Sequence, residues 1–365
     1  MNAPSQPADL RLEVVSTLDR FEALRAPWNA LAASHPTPLL RHEWFAAAAR
    51  AHAGDAELAV VLAWDGEALR AAAPLVHDRR GGLDRLRILG FQTDEPEAFL
   101  FADEAALARV CAAVAGLGRP VALRRLGADS RELALLQSAC RGFASVRPGS
   151  TRTLWNPLPA DAPALEASMT TKQRREIVRR RKKLDALGAA TFEAHAPSVD
   201  QVQPLFCEFV AVEGAGWKAR AGTALVQDGA QRAFLRDLCR QAAAEGWLRF
   251  FFLRQNGRVV AGQLHLLYAR RLWALKIGYD ETLASLSPGV LLTHDILRHA
   301  CGLGLEGVEH LGVAESWQQR WPFDVRDHAT VRLYPVSAGS AVAFTADALD
   351  FVRRRRAARH QASAA

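Results

Sequence analysis

The chain has 365 residues, of which 50% are hydrophobic and 23% charged, and its formal net charge is +7 at pH 7. This length predicts about two domains, since a domain averages roughly 150 residues, and the composition excludes a disordered chain, which would contain fewer apolar residues. No uninterrupted apolar run reaches the roughly 18 residues that a membrane span needs, which argues against an integral membrane protein.

Two further features define the expected compartment and chemistry. The first nine residues lack the basic and apolar regions of a signal peptide, so the sequence predicts a cytoplasmic protein. The five cysteines are widely spaced and form no CxxC pair, which argues against a disulfide framework or a structural zinc site. We therefore expect neither disulfides nor a bound metal.

The positive charge is concentrated in two segments. Residues 168–188 carry eight Lys and Arg against two acidic residues, residues 351–365 carry five Arg, and the remainder has a net charge of −4. The C-terminal segment is typical of a solvated helix end and tail. In the first segment, Ser168, Thr170 or Thr171 can cap a helix that Gly188 ends. The cations from Lys172 to Lys183 on this helix fit either phosphate binding or a solvated surface, and the sequence leaves both readings open.

Strand and helix patterns alternate along the whole chain, which predicts a mixed α/β fold. Strands are predicted over residues 10–15, 57–64, 67–77, 85–91, 121–126, 144–155, 190–194, 247–254, 258–269, 272–279, 307–313 and 330–336. Helices are predicted over residues 21–31, 42–51, 105–116, 130–140, 168–188, 199–210, 230–244, 289–301 and 315–321. The pairs Asp65-Gly66 and Asn256-Gly257 predict hairpin turns.

The same order of elements occurs in both halves of the chain, which predicts two similar α/β domains. Pro157, Pro159 and Pro163 mark a proline-rich linker between them. The expected division is a domain over residues 1–156, a linker over 157–167, a domain over 168–340, and a C-terminal helix with a basic tail over 341–365.

The segment 272–292 is the richest in candidate functional groups. A predicted strand ends with Lys276, Tyr279 and Asp280, and the sequence Ser-Pro-Gly at 287–289 opens the next helix. Ser287 is a suitable N-cap and Pro288 a suitable first helical residue. Because backbone N–H groups and the helix dipole attract anions at a helix start, this position suits a pyrophosphate.

Several motifs occur in a characteristic order: the basic segment from Ser168 to Gly188, Trp217-Lys218 in a glycine-rich loop, Asn256-Gly257, Tyr279-Asp280-Glu281, and the segment from Ser287 to Leu292. This order resembles the acetyltransferase domain of cellulose-biosynthesis (CelD-type) proteins. The resemblance covers about residues 170–321 well and the N-terminal half more loosely. That family belongs to the GNAT acyltransferases and is related to the FemAB peptidoglycan transferases, which carry two GNAT-like domains in tandem. The resemblance implies tandem GNAT-like acyl-CoA N-acyltransferase domains, of which residues 1–156 would be a degenerate copy.

The activity that the resemblance implies is acyl transfer from acetyl-CoA or another acyl-CoA, used as a co-substrate. The acceptor would be an amine or hydroxyl group of a small molecule, saccharide or peptide, in polysaccharide or envelope biosynthesis. In GNAT enzymes two neighbouring strands splay apart and the pantetheine arm pairs with the exposed strand edge. Here the splay would follow the strand over 272–279, and the pyrophosphate would rest on Ser287, Pro288, Gly289 and Val290.

Direct attack on a thioester needs a base for the acceptor and a proton donor for the leaving thiolate. Tyr279 is the candidate acid, and Asp280 or Glu315 is the candidate base. Lys276 could stabilise the developing oxyanion. The alternative for Lys276 and Asp280 is a structural salt bridge.

The remaining candidates concern the acceptor. Glu213, Trp217, Lys218 and Trp317 are predicted to contact it, and Glu213 is a second candidate base. The alternative for Trp217 is a loop anchor beside a solvated lysine. Two other functions stay open on the sequence: a FemAB-like transferase that uses aminoacyl-tRNA bound by the basic helix, and a non-catalytic GNAT-like scaffold.

Overall fold

The computed structural model of the protein describes residues 10–52, 57–216, 222 and 224–363. The helices in chain order are α1 (Leu18–Glu22), α2 (Arg25–Ala32), α3 (His42–His52), α4 (Glu104–Gly116), α5 (Arg131–Ala139), α6 (Ala162–Ser168), α7 (Thr171–Asp185), α8 (Val202–Gly214), α9 (Gly229–Ala244), α10 (Pro288–Gly302) and α11 (Ala338–Ser363). The strands are β1 (Arg11–Val15), β2 (Val60–Asp65), β3 (Ala68–Ala73), β4 (Leu75–Asp78), β5 (Arg85–Ile88), β6 (Leu100–Phe101), β7 (Val121–Gly127), β8 (Gly142–Pro157), β9 (Ala190–His195), β10 (Leu248–Gln255), β11 (Arg258–Tyr268), β12 (Arg271–Tyr279), β13 (Gly307–His310) and β14 (Asp324–Pro335). The predicted mixed α/β fold is confirmed.

The chain forms two compact units, and each is discontinuous in sequence. The first unit comprises Met1–His35, His52–Ser150 and His328–Ala365, and the second comprises Pro36–Ala51 and Thr151–Asp327. These limits differ from the linear division expected from the sequence. Tertiary packing explains the difference for α3, because the Trp44 ring lies edge-on against the Phe234 ring of α9, with 5.1 Å between centroids.

The first unit contains two groups of paired strands. One is an antiparallel sheet with the strand order β1-β2-β3-β6, in which the predicted Asp65-Gly66 turn joins β2 to β3. Gly66 has a φ of +57° there, a backbone conformation that glycine adopts without strain. The other group has the order β4-β5-β7-β14, and α11 begins shortly after β14.

The second unit is built on strands in the order β8-β13-β12-β11-β10-β9. Neighbouring residues on a strand point to opposite faces of a sheet, and β12 shows which helix covers each face. The backbone of Gly278 lies against Glu213 of α8, whereas the Tyr279 ring lies against Gly289 of α10. On the α10 face, side chains from α6, α7 and α10 pack with the strands into one apolar core.

The predicted linker over residues 157–167 is an ordered part of the second unit. Asp161 caps α6 by accepting a hydrogen bond from the Ala164 N–H at 2.7 Å, and Leu165 is buried. The proline-rich composition therefore reflects a strand end and a helix start, since proline is favoured at the first helical positions. Among the described residues, no helix combines the length and apolarity that a membrane crossing requires.

Candidate functional site

Strands β12 and β13 diverge in the middle of β12. The two pair in parallel from Arg271 opposite Gly307 to Ala274 opposite His310, whereas β12 stays paired with β11 as far as Tyr279 opposite Ala261. Beyond Ala274, the edge of β12 that faced β13 has no strand partner among the described residues. We call this divergence the fork. It opens earlier than expected, within the strand rather than after residue 279, because β13 ends at His310.

Two histidines flank the fork. His265 on β11 and His310 on β13 are both in register with Ala274, so the three side chains share one face of the sheet. His265 is only 1% exposed and His310 only 4%. Burial lowers the pKa of His310 to about 4, and burial together with the nearby His310 lowers the pKa of His265 to about 3. Both imidazoles are therefore neutral at pH 7.

Hydrogen bonds fix the tautomer of His310. The Asn156 amide nitrogen donates to the Pro322 carbonyl at 2.7 Å, which turns its oxygen Oδ1 toward His310 Nε2, 2.6 Å away. Because this oxygen can only accept, Nε2 of His310 carries the proton and donates. Nδ1 of His310 is then an acceptor with a lone pair.

A longer chain of hydrogen bonds fixes His265 and reaches the start of α10. His265 Nε2 lies 2.8 Å from Gln263 Oε1, and Gln263 Nε2 donates to Thr293 Oγ1 at 2.7 Å. Thr293 Oγ1 in turn donates to the Gly289 carbonyl at 3.0 Å. His265 Nδ1 is buried and has no hydrogen-bond partner among the described residues. This acceptor is the kind of unsatisfied buried group that a ligand or a water molecule commonly satisfies.

The β12 candidates lie at the unpaired part of the strand. Lys276 and Tyr279 are half-buried, and the Tyr279 ring packs against the apolar core of α10. A Cβ on Gly278 would lie 2.5 Å from the Glu213 Cα, so only glycine fits between β12 and α8. Lys276 and Tyr279 are thus brought to the fork by the same strand segment.

The two candidate carboxylate bases are engaged in local structure. Asp280 is buried, accepts hydrogen bonds from the Thr282 N–H (2.9 Å) and hydroxyl (2.6 Å), and forms an ion pair with Arg258. Burial alone would raise the pKa of Asp280, but the Thr282 hydrogen bonds and Arg258 outweigh it and hold that pKa below its usual range. The salt bridge considered between Asp280 and Lys276 is therefore formed with Arg258 instead.

Glu315 caps the short helix Ser316–Arg320. Its carboxylate accepts from the Gln318 N–H in a reciprocal capping box, and Trp317 Nε1 donates to it at 2.9 Å. Oxygens held by these two hydrogen bonds are less accessible to the proton of an incoming acceptor. This arrangement and that of Asp280 disfavour both residues as the base.

The predicted phosphate cradle has few free donors. Pro288 has no N–H, the Val290 N–H and the Leu291 N–H both donate to the Ser287 carbonyl, and the Ser287 N–H donates to the Ala284 carbonyl. Within residues 287–291 this leaves the Gly289 N–H to face an anion at the start of α10. Ser287 is in the left-handed region at a φ of +50° and makes no side-chain cap.

Two of the four acceptor candidates, Glu213 and Trp317, lie near the fork. Trp217 and Lys218 lie outside the described residues. Glu213 is buried beside Gly278 and accepts a hydrogen bond from the Leu225 N–H at 3.0 Å. Trp317 stands edge-on to His310, with 5.8 Å between ring centroids. The structure thus brings Trp317, His310 and the open edge of β12 together.

The sequence did not identify His310 or Asn156 as candidate functional residues. The signal for His310 was weak, a histidine after the pattern Val-Glu near the end of a short apolar strand. Its significance depends on the parallel pairing of β13 with β12, and Asn156 is distant in sequence. Residue patterns predict strands but not which strands pair, here between Ala274 and His310, 36 positions apart in sequence.

Comparison with known proteins supports the assignment of the second unit. Residues 171–319 match the family model described as an acetyltransferase (GNAT) domain. No curated protein matches the sequence.

Solved structures resemble the chain over nearly its whole length. FemX has a TM-score of 0.57 at 10% identity over 88% of this chain and 96% of its own. The C-terminal domain (DUF2156) of an Agrobacterium fabrum protein assigned as a lysylphosphatidylglycerol synthetase has a TM-score of 0.53 at 13% identity, over 91% and 98%. A conserved protein of unknown function from Bacteroides thetaiotaomicron has a TM-score of 0.51 at 14% identity, over 89% and 99%.

At these identities the likeness concerns the fold. The predicted GNAT-like fold is confirmed, and residues 171–319 form a GNAT-type acyltransferase domain. The narrower resemblance to CelD-type proteins stays a prediction.

Proposed function

We propose that the second unit transfers an acyl group, in the first instance acetyl, from an acyl-CoA thioester to an amine or hydroxyl group. The observation that carries this proposal is the fork, which lies inside the segment that matches the GNAT family. An unpaired strand edge offers backbone N–H and C=O groups to an extended ligand, in the way that sheets bind an added strand. The two amide groups of a pantetheine arm are suited to that edge of residues 275–279.

The reaction is direct attack of the acceptor on the thioester carbonyl carbon. The new C–N or C–O bond forms, the C–S bond breaks, and the acceptor loses a proton while the thiolate gains one. We assign the acceptor's proton to His310 Nδ1, because Asn156 holds the opposite nitrogen as the donor and the carboxylates of Asp280 and Glu315 are engaged. Tyr279 is the donor to the thiolate, and the Lys276 ammonium stabilises the oxyanion.

The acceptor class is argued from the aromatic side chain beside His310. Trp317 offers an apolar ring next to the proposed base, which suits the face of a sugar or the side chain of a peptide. The resemblance to CelD-type proteins favours a saccharide in polysaccharide or envelope synthesis.

A thermal-shift titration with acetyl-CoA tests the proposal. Ligand at 100 times its dissociation constant should stabilise the folded state by about 2.7 kcal/mol. Gly289→Glu places a carboxylate at the start of α10 and should abolish this shift. Gly302→Glu is the matched control, because it makes the same change at the other end of α10, where nothing lies within 4 Å of an added Cβ.

The outcomes are distinct. A saturable shift in the wild type and in Gly302→Glu, lost in a folded Gly289→Glu variant, supports donor binding at the fork. Release of free thiol that depends on added amino sugar then establishes transfer. No shift and no thiol release with millimolar acetyl-CoA would refute acetyl-CoA as the donor.

A further inference from the structure

Helix α7 carries eight cationic residues, which fall into two groups by their surroundings. The half-buried members are engaged within the second unit. Arg174 donates to backbone carbonyl groups, Arg180 pairs with Glu176, and Arg181 pairs with Asp295 of α10. These three arginines are accounted for by the fold.

The other members are exposed and make no ion pair or hydrogen bond within the described part of the chain: Lys172, Arg175, Arg179, Lys182 and Lys183. They lie on one face of α7, opposite the buried Ile177 and Leu184. We call them the α7 row. At 1.5 Å per residue the row is about 16 Å long. Since like charges at i,i+4 spacing destabilise a helix by about 0.2–0.5 kcal/mol per pair, the row gains stability from an external anion.

Helix α7 lies beside the segment that follows the fork, but the α7 row faces away from that segment. Helix α7 packs against α10 and against the segment Glu281–Leu286, which joins β12 to α10. Ile177 and Leu184 face this packing, so the row on the opposite side of α7 points away from the start of α10. It is available to a molecule that approaches from outside the second unit.

One apolar side chain indicates the kind of partner. Val178 is 53% exposed and lines a shallow groove together with Arg175, Arg179 and Lys182. A protein surface can contact such a side chain, whereas a phosphate backbone gains nothing from it. The apolar area of one valine is also far below the broad apolar face with which helices anchor in a bilayer. These features favour an acidic protein.

The residues at the start of α10 also favour a protein partner. A CoA thioester brings a diphosphate and a further phosphate, yet residues 282–288 contain no basic side chain and the helix start offers few free N–H groups. A phosphopantetheine arm attached to a protein presents the same thioester and the same two amides with a single phosphate diester. Such a donor needs the edge of β12 and a cationic docking surface, but no diphosphate site.

We infer that the second unit takes its acyl group from a phosphopantetheine thioester on an acidic carrier protein, and that the α7 row docks this carrier. The inference rests on the proposed function, since it supplies the same fork with a different form of the same donor. The bond changes are unaltered: the acceptor attacks the thioester carbonyl, and the carrier's thiol leaves.

Binding of a bacterial acyl carrier protein with an acetylated phosphopantetheine arm tests the inference. The dissociation constant is measured by fluorescence anisotropy with wild-type protein, with the double variant Arg175→Glu/Arg179→Glu, and with Arg236→Glu/Arg240→Glu. The last pair is the matched control, because Arg236 and Arg240 are exposed on α9 at the same i,i+4 spacing. We expect the α7 variant to bind roughly tenfold or more weakly, the α9 variant to bind like the wild type, and all affinities to fall with salt.

The design separates this inference from the proposed function. If acetyl-CoA stabilises the protein but the acetylated carrier does not bind, or binds equally to both double variants, carrier docking is wrong and acyl transfer stands. If neither thioester binds, both are wrong. Tighter binding of tRNA or of phosphatidylglycerol vesicles than of the carrier, lost in the α7 variant, would overturn the inference in favour of that polyanion.

Discussion

Gly278→Ala is the most direct test of how β12 is positioned at the fork. An added Cβ would lie 2.5 Å from Glu213 Cα and 2.8 Å from Glu213 Cβ. The obstructing atoms belong to the α8 backbone or are attached directly to it, so the clash cannot be relieved by a rotamer change. Overpacking in a core costs about 1–3 kcal/mol, and we expect the upper end of that range because a helix or a strand must move.

Thermal unfolding measures the effect. For a unit of this size, about 3 kcal/mol corresponds to a fall in Tm of roughly 6–12 °C. The variant should also lose most of its stabilisation by acetyl-CoA, because displacing β12 moves the edge to which the donor binds. Gly289→Ala is the control on α10, where the nearest atom, Tyr279 Cδ1, would be 3.4 Å from the added Cβ. That variant should be as stable as the wild type or slightly more so, because alanine favours the helix. Equal Tm values for the two variants would refute the close approach of β12 and α8.

Two further predictions concern ionisable groups near the fork. The free energy of unfolding should fall as the pH drops from about 6.5 toward 4, because the unfolded state binds protons that the folded state excludes. The fall should be up to about 1.4 kcal/mol per pH unit for each of His265 and His310. Denaturant titrations across this range should show a shallower decline for His310→Gln, and an unchanged slope would contradict the lowered pKa of His310. Asp280→Asn should lower the free energy of unfolding by less than about 1 kcal/mol at pH 7, because asparagine keeps the cap to Thr282 and the lost ion pair involves the largely exposed Arg258. A variant that is stable but unable to transfer acetyl groups would show that Asp280 is the base.

Local elements of this protein could be predicted from sequence because their causes are local. The Asn256-Gly257 turn needs positive φ at both residues, and both have it, at +50° and +79°. Of the three caps that the sequence offers for the basic helix (Ser168, Thr170 and Thr171), the structure uses Thr170, which forms a capping box with Gln173. These features depend on residues within a few positions of each other, which a single sequence contains.

The fork and the two units depend on pairing between distant segments. The position of His310 at the fork depends on the pairing of β13 with β12 beside Ala274. The place of α3 in the second unit depends on its contacts with α9, among them Trp44 with Phe234 and Arg50 with Asp237. The roles first expected for Asp280 and Glu315 depended on carboxylates being free at the end of a strand and the start of a helix. Those are positions where carboxylates commonly cap backbone N–H groups, and both residues do so here.

The engagement of both carboxylates has a consequence for the chemistry at the fork. Direct attack by a neutral amine creates positive charge on the acceptor and negative charge on the thioester oxygen before any proton moves. A free carboxylate beside the thioester would oppose the second of these charges, whereas neutral His265 and His310 with the Lys276 ammonium do not. The neutral imidazole of His310, with a pKa of about 4, is a weak base toward a free amine. Attack on the thioester turns the amine nitrogen into an ammonium group, which releases a proton far more readily than the neutral amine does. Proton transfer to His310 is therefore expected to follow C–N bond formation, and the hydrogen bond to Asn156 serves to hold Nδ1 ready to receive that proton.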